Sequence, residues 1–315
     1  MDNVRIVIVG AGSVGATLAY ACLIRGVGGD IVLYDTDAAK VEGQVLDLRH
    51  GLGFVPAATV EGSTDLDDCR GADVVVITAG AKQRSGQTRL DLASANASML
   101  QDLVPALVDG SPDALLLVVT NPVDVLTWVA LRLSGLPAGR VLGSGTVLDS
   151  ARLRQLLAAR CGVAVANVHA HIAGEHGDTE IALWSAASIA GVPLGSWRPP
   201  DGERLDDAEL DEILDEVRGS AYRIIEGKGA TNFAIGLAGL RILEAIERDE
   251  QRVLPVSGLV EGLYGLDDVC LSLPRIVGRS GITHTVDVPL RDDEVAGLRR
   301  SAEAIRDSAT SVGVD

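Results

Sequence analysis

The stretch VRIVIVGAGSVGATLAY, residues 4–20, decides how the rest of the chain is read. Its first six residues are apolar apart from Arg5 and largely β-branched, which suits a short buried strand, and the run stops at Gly10. Beyond it Leu18, Ala21 and Leu23 recur at helical spacing. The turn between them, Gly10-Ala11-Gly12-Ser13-Val14-Gly15, is a G-x-G-x-x-G. There the first glycine permits the sharp reversal, the second lets the backbone approach a pyrophosphate, and the third lets helix pack on strand. The start of the helix adds unpaired N–H groups and a partial positive charge.

A second strand, DIVLYD (30–35), ends in Asp35, placed to accept hydrogen bonds from an adenosine ribose. A carboxylate there repels a 2′-phosphate, so NAD is expected rather than NADP. Lys40 follows on the next helix, near the adenosine. Further apolar runs at 73–78 (DVVVIT), 114–120 (ALLLVVT) and 140–143 (RVLG) suit parallel strands covered on both faces. The fold class is therefore α/β. A doubly wound parallel sheet of Rossmann type over residues 1–144 is expected to bind the dinucleotide, and a mixed α+β substrate domain over 145–315 follows. Ligands of such a sheet lie at the carboxyl ends of its strands.

Composition narrows the function. With 27 Lys and Arg against 44 Asp and Glu the net charge is −17, which argues against nucleic acid and against an anionic membrane surface. Four widely separated cysteines, without CxxC spacing, fit a reduced, cytoplasmic setting. The apolar N-terminal stretch ends in Ala19-Tyr20-Ala21, which mimics an export cleavage site, but its three spaced glycines suit strand, turn and helix better. The first strand starts at Val4, so no long N-terminal arm is expected. Against this acidic background AGAKQRSGQTRL (79–90) carries Lys82, Arg84 and Arg89 just beyond a strand end. It reads as a lid over the dinucleotide, with Gly80 and Gly86 as hinges.

The second half supplies acid, base and clamp. In HIAGEHGDTE (171–180), His176 lies between Gly174 and Gly177, where the chain can present an imidazole. In GTVLDSARLRQLL (145–157), Asp149 and Arg152 are three apart and share a helix face, whereas Arg154 lies about 200° round the axis from Arg152. Two bland readings compete: Thr146-x-x-Asp149 is also a capping box, and Thr231 in KGATNFAIGL could be an N-cap. A metal site built on His169, His171 and His176 with Glu175 and Asp178 is a further alternative. It leaves the glycine turn and Arg152 without a task, and no metal is expected.

Taken in order, GAGSVG, AGAKQRSGQTRLDL, TNPVDVLTWVALRLSG, GSGTVLDSARLR, HIAGEHGDTE and KGAT resemble the L-lactate branch of the lactate/malate dehydrogenase family, from about residue 4 to the C-terminal helix. The resemblance implies an enzyme in which His176 donates and accepts the proton, Asp149 orients it, Arg152 clamps the substrate carboxylate and Arg89 polarises the ketone. Gln83, Asn121, Asp124 and Thr231 would line the substrate pocket. Gly10, Gly12, Val14, Gly15, Asp35, Lys40, Ala79, Gly80, Val119 and Asn121 would hold NAD. Gln83 falls six residues before Arg89, where the lactate branch carries Gln and the malate branch Arg, so pyruvate and lactate are the expected substrates. Arg84, one residue on, keeps malate dehydrogenase as the alternative, and a dinucleotide-binding sensor without turnover is a more distant one. The resemblance also implies a homotetramer, and it pairs Arg154 with His169 as a site for fructose 1,6-bisphosphate.

Overall fold

Strands built from unbroken Val, Ile and Leu must be covered on both faces, and the computed structural model, which describes residues 4–81, 89–200 and 202–313, shows how. The first half alternates β1 (Arg5–Val9), α1 (Ser13–Arg25), β2 (Asp30–Tyr34), α2 (Ala38–His50), β3 (Thr59–Ser63), β4 (Val74–Ile77), α3 (Arg89–Gly110), β5 (Leu115–Val118), α4 (Val123–Ser134) and β6 (Val141–Gly143). These six strands pair in parallel in the order β3-β2-β1-β4-β5-β6, the doubly wound arrangement that the apolar runs predict.

Alternation along each strand divides the core. Ile6, Ile8, Ile31, Leu33, Val74 and Val76 face one side, and Val7, Val9, Val32, Val75 and Ile77 the other; all are buried.

The second half opens with α5 (Val147–Cys161) and continues through the short strands β7 (Val168–His169), β8 (Ile172–Ala173), β9 (Ile181–Ala182), β10 (Ser188–Ile189) and β11 (Val192–Pro193). Helices α6 (Asp207–Lys228) and α7 (Phe233–Glu247) follow, then β12 (Arg252–Glu261), β13 (Asp267–Gly278), β14 (Gly281–Thr285) and α8 (Asp292–Thr310). The long hairpin β12–β13 and strand β14 extend the parallel sheet antiparallel beyond β6, giving nine strands in one sheet among the described residues. The mixed second half thus joins the first through a shared sheet. No described helix is long and apolar enough to cross a membrane.

The turn after β1 is held by sterics. Gly10 has φ +111°, and a Cβ there would meet the main-chain nitrogen of Ala79 at 2.5 Å. At Gly15 a Cβ would collide with the carbonyl oxygen of Gly10. By contrast nothing lies within 4 Å of a Cβ built at Gly12, so the backbone there is bare. Gly10→Ala is expected to lower stability by about 2 kcal/mol or more, since it combines left-handed strain with a main-chain clash. Urea denaturation measures this, and a midpoint equal to that of the unsubstituted protein would contradict it.

Candidate active site

The bare backbone at Gly12 faces the start of α1, where no side chain caps the helix and the free N–H groups remain available to an anion. At the end of β2, Asp35 accepts from the N–H of Ala11 (3.0 Å) and of Asp37 (3.1 Å) and from Nζ of Lys40 (3.1 Å). Burial works against its charge, but the N–H of Asp37, Lys40 and the N–H of Ala11 outweigh it and hold the carboxyl below its usual range. Lys40 also pairs with Asp37 at 3.7 Å. Glycine turn, helix start and carboxylate together fit a dinucleotide.

From this cradle a cavity of about 290 Å³ runs toward the second half. Val14, Gly80, Val119, Asn121, Arg152, His176 and Thr231 line it together. Ala79 is not one of the lining residues; its carbonyl accepts a hydrogen bond from Thr120 Oγ1 at 2.6 Å. Residues without a local signal also contribute: Asn96 of α3, Ser144, and Ala221 and Ile225 from α6. Buried Asn96 accepts from the N–H of Ala81 (2.8 Å) and donates to the carbonyl of Asn121 (2.8 Å), tying the strand end to the Asn121–Pro122 bond, which is cis.

At the cavity wall, Nδ1 of His176 meets Oδ2 of Asp149 at 2.6 Å, and Nη1 of Arg152 donates to Oδ1 of the same carboxylate at 2.7 Å. Asp149 is 3% exposed at its side chain, Arg152 14% and His176 25%, so the carboxylate is hidden and the two cations reach the cavity. Burial alone would push the His176 pKa down, but Asp149, assisted by Asp124 and Glu180, raises it to about 9. Burial likewise opposes the charge on Asp149, and His176 and Arg152 prevail, holding it below the usual carboxylate range. The imidazolium thus contributes stability fully below its unfolded pKa of about 6.5 and loses that contribution as pH rises through about 9. Asp149 contributes above its unfolded value and loses its share as acid protonates it.

The capping readings give way to tertiary partners. Thr146 makes no cap bond to α5; its hydroxyl donates to the carbonyl of Ile172 at 2.6 Å, leaving Asp149 for His176. Asn232, not Thr231, stands at the N-cap of α7. Asp124 corrects the expectation of a pocket-lining residue. It is 2% exposed and accepts from the main-chain N–H of His176 at 2.7 Å, so it anchors the loop from behind. Gln83, with Lys82, Arg84 and Gly86, lies outside the described residues. Arg89 is the first residue of α3, and its side chain is likewise outside what is described.

Arg154 points elsewhere. With His169, His171, Arg241 and Arg252 it lines a second cavity of about 570 Å³. Arg154 makes no ion pair among the described residues, and burial together with the nearby Arg252 lowers its pKa. His169 and His171 open into this second cavity and His176 into the first, so the three do not form one ligand set.

Comparison with known proteins bears on both halves. Residues 4–143 match the family model for the lactate/malate dehydrogenase NAD binding domain, and residues 146–312 match that for the lactate/malate dehydrogenase alpha/beta C-terminal domain. The chain is 50% identical over 310 residues to an L-lactate dehydrogenase of Bifidobacterium animalis subsp. lactis (strain AD011), covering 98% of this chain and 97% of that one. It is 51% identical over 305 residues to one of Synechococcus sp. (strain JA-3-3Ab), covering 97% and 98%. A crystal structure of minor L-lactate dehydrogenase from Enterococcus mundtii superposes with a TM-score of 0.95 at 38% identity, covering 99% of both chains.

The His176–Asp149 contact makes a direct prediction. In Asp149→Asn the burial of the ring is no longer offset by its main partner, so the pKa of His176 should fall from about 9 toward or below about 6.5. NMR titration of the histidine ring protons reports this, and a ring still titrating near its original value would remove Asp149 as the cause.

Proposed function

By both domains the chain belongs to the lactate/malate dehydrogenase family of NAD-dependent oxidoreductases, the first domain matching its NAD binding unit, and from that premise we propose that it is an L-lactate dehydrogenase interconverting pyruvate and (S)-lactate. The observation that carries the reading is the 2.6 Å contact of His176 with a hidden Asp149, in a cavity that also holds Arg152 and adjoins the dinucleotide cradle. When bound, NADH supplies the hydride that the ketone carbon needs. With Nδ1 engaged by Asp149, His176 has Nε2 to give its proton to the substrate oxygen, and a raised pKa keeps that proton available at neutral pH. Arg152 has one Nη on Asp149 and offers its remaining N–H groups to the substrate carboxylate. Arg89 polarises the ketone as negative charge grows on it. Asn121 and Thr231 border the same space, and Asp124 holds the His176 loop. In this reading residues 1–144 bind the cofactor and 145–315 the substrate, and the setting is cytoplasmic, consistent with four free, buried cysteines.

Pyruvate is preferred over oxaloacetate because Gln83, a neutral amide, would meet the substrate C3 group. A second carboxylate there lacks a counter-charge and is costly to desolvate. Gln83→Arg should move the ratio of kcat/KM values at least about 10³-fold toward oxaloacetate, since a charged hydrogen bond contributes ~1.5–3 kcal/mol and an unpaired buried cation opposes pyruvate. If Arg84→Gln produces the change instead, the lid register differs and the protein is a malate dehydrogenase.

In this reading the enzyme is a homotetramer, and fructose 1,6-bisphosphate regulates it at the second cavity. Arg154, His169 and Arg252 line it together, and a phosphate would relieve the repulsion between the two guanidinium groups. Millimolar bisphosphate should lower the pyruvate concentration at half-saturation by ~5–150-fold, and Arg154→Gln should remove most of that response. Saturation curves that overlay with and without the bisphosphate would exclude activation.

A further inference from the structure

Glu180 stands beside the proposed proton donor, and the chemistry above gives it no task. It lies immediately before β9, is 2% exposed, and its Oε1 is buried without a hydrogen-bond partner among the described residues. Carboxylate oxygens of Glu180 and Asp149 and a ring nitrogen of His176 all fall within 4.8 Å of one another. The charged groups that face this carboxyl are Asp149 and Arg152 from α5, His176 from its own loop and Arg218 from α6. Arg218 donates through Nη2 to the main-chain oxygen of Glu180 at 2.5 Å rather than to the carboxylate, and its own Nε is buried without a partner among the described residues. Asp124 of α4 completes the set on the far side of His176.

Such a trio of donors could suggest a cation, but Asp149 already has one oxygen on Arg152 and the other on His176. A cation would be placed against a guanidinium and an imidazolium. The unsatisfied oxygen has a different meaning. Two carboxylates this close cannot both stay ionised in a dry site unless a positive group lies between them.

We propose that Glu180 is a positioning residue for the His176–Asp149 pair, whose carboxyl gives up its proton as pH rises toward the alkaline limb and, once ionised, favours the imidazolium. The electrostatics agree in both directions. Burial and then Asp149 push the Glu180 carboxyl above its usual range, while His176, Arg218 and Arg152 pull it back. Glu180 in turn helps to raise His176. The two sites therefore titrate as a coupled pair, and the alkaline limit of pyruvate reduction belongs to the pair.

The inference rests on His176 as the proton donor, and the experiment separates the two. Pyruvate reduction by NADH is followed against pH for the unsubstituted enzyme, Glu180→Gln, Glu180→Asp and His176→Asn, each profile normalised to its own acid plateau. Glu180→Gln should shift the alkaline limb down by about one pH unit, so that the normalised rate on that limb falls about tenfold, and Glu180→Asp should recover part of the shift. Superimposable profiles for Glu180→Gln and the unsubstituted enzyme overturn the inference alone. Near-normal turnover by His176→Asn overturns the proton-donor reading and the inference with it. Should Glu180→Gln fail to fold, infrared titration of the unsubstituted NADH complex, labelled with ¹³C-glutamate, decides the matter. A protonated glutamic acid band that persists at neutral pH and is lost across the alkaline limb supports the coupling, and complete ionisation by pH 6 overturns it.

Discussion

The carboxylate of Asp149 is the constraint around which the second half is arranged. Burying a carboxylate without partners costs several kcal/mol, and here two cations, a guanidinium on the same helix and an imidazole from a distant loop, make the burial tolerable. The arrangement holds only if α5 enters at the right register and the loop carrying His176 is fixed. Thr146 secures the first by tying the start of α5 to the carbonyl of Ile172, and Asp124 secures the second by accepting the N–H of His176. Asp124 is itself buried, and burial lifts its carboxyl to about 6 despite the His176 contacts that favour the charge. One hidden charge thus requires several hidden polar supports.

How much of this was legible in the sequence follows from where information is local. The central parallel strands announce themselves because burial on both faces demands unbroken apolar runs. β3 is absent from that reading for the opposite reason: TVEGS sits at the sheet edge with only Val60 buried. β12 and β13 are long, but each carries a proline, Pro255 and Pro274, and proline ordinarily argues against a strand. In the fold the two prolines lie opposite each other in the pairing, a relation that no local window contains.

The site divides in the same way. Helix arithmetic alone separates Arg152 from Arg154, and the two do open into different cavities. The glycine spacing around His176 marks a loop able to present a side chain. Thr146 illustrates the limit: a capping box is a pattern of hydrogen-bonding capacity, and tertiary acceptors 26 and 109 residues away take that capacity instead. Asn96, Ala221 and Glu180 carry no local sign at all, because each acquires its place through contacts between elements far apart in the chain.

The shared helix has a mechanical consequence. Arg152 and Arg154 are two positions apart on α5, rigidly joined and on nearly opposite sides of its axis, with one cavity on either side. Hydrogen bonding along a helix makes its interior stiff, so a small roll of α5 acts as a rocker. A turn that carries one guanidinium up its wall carries the other down. A slide along the axis moves both by the same amount. No rigid displacement of α5 can reshape one cavity and leave the other as it was.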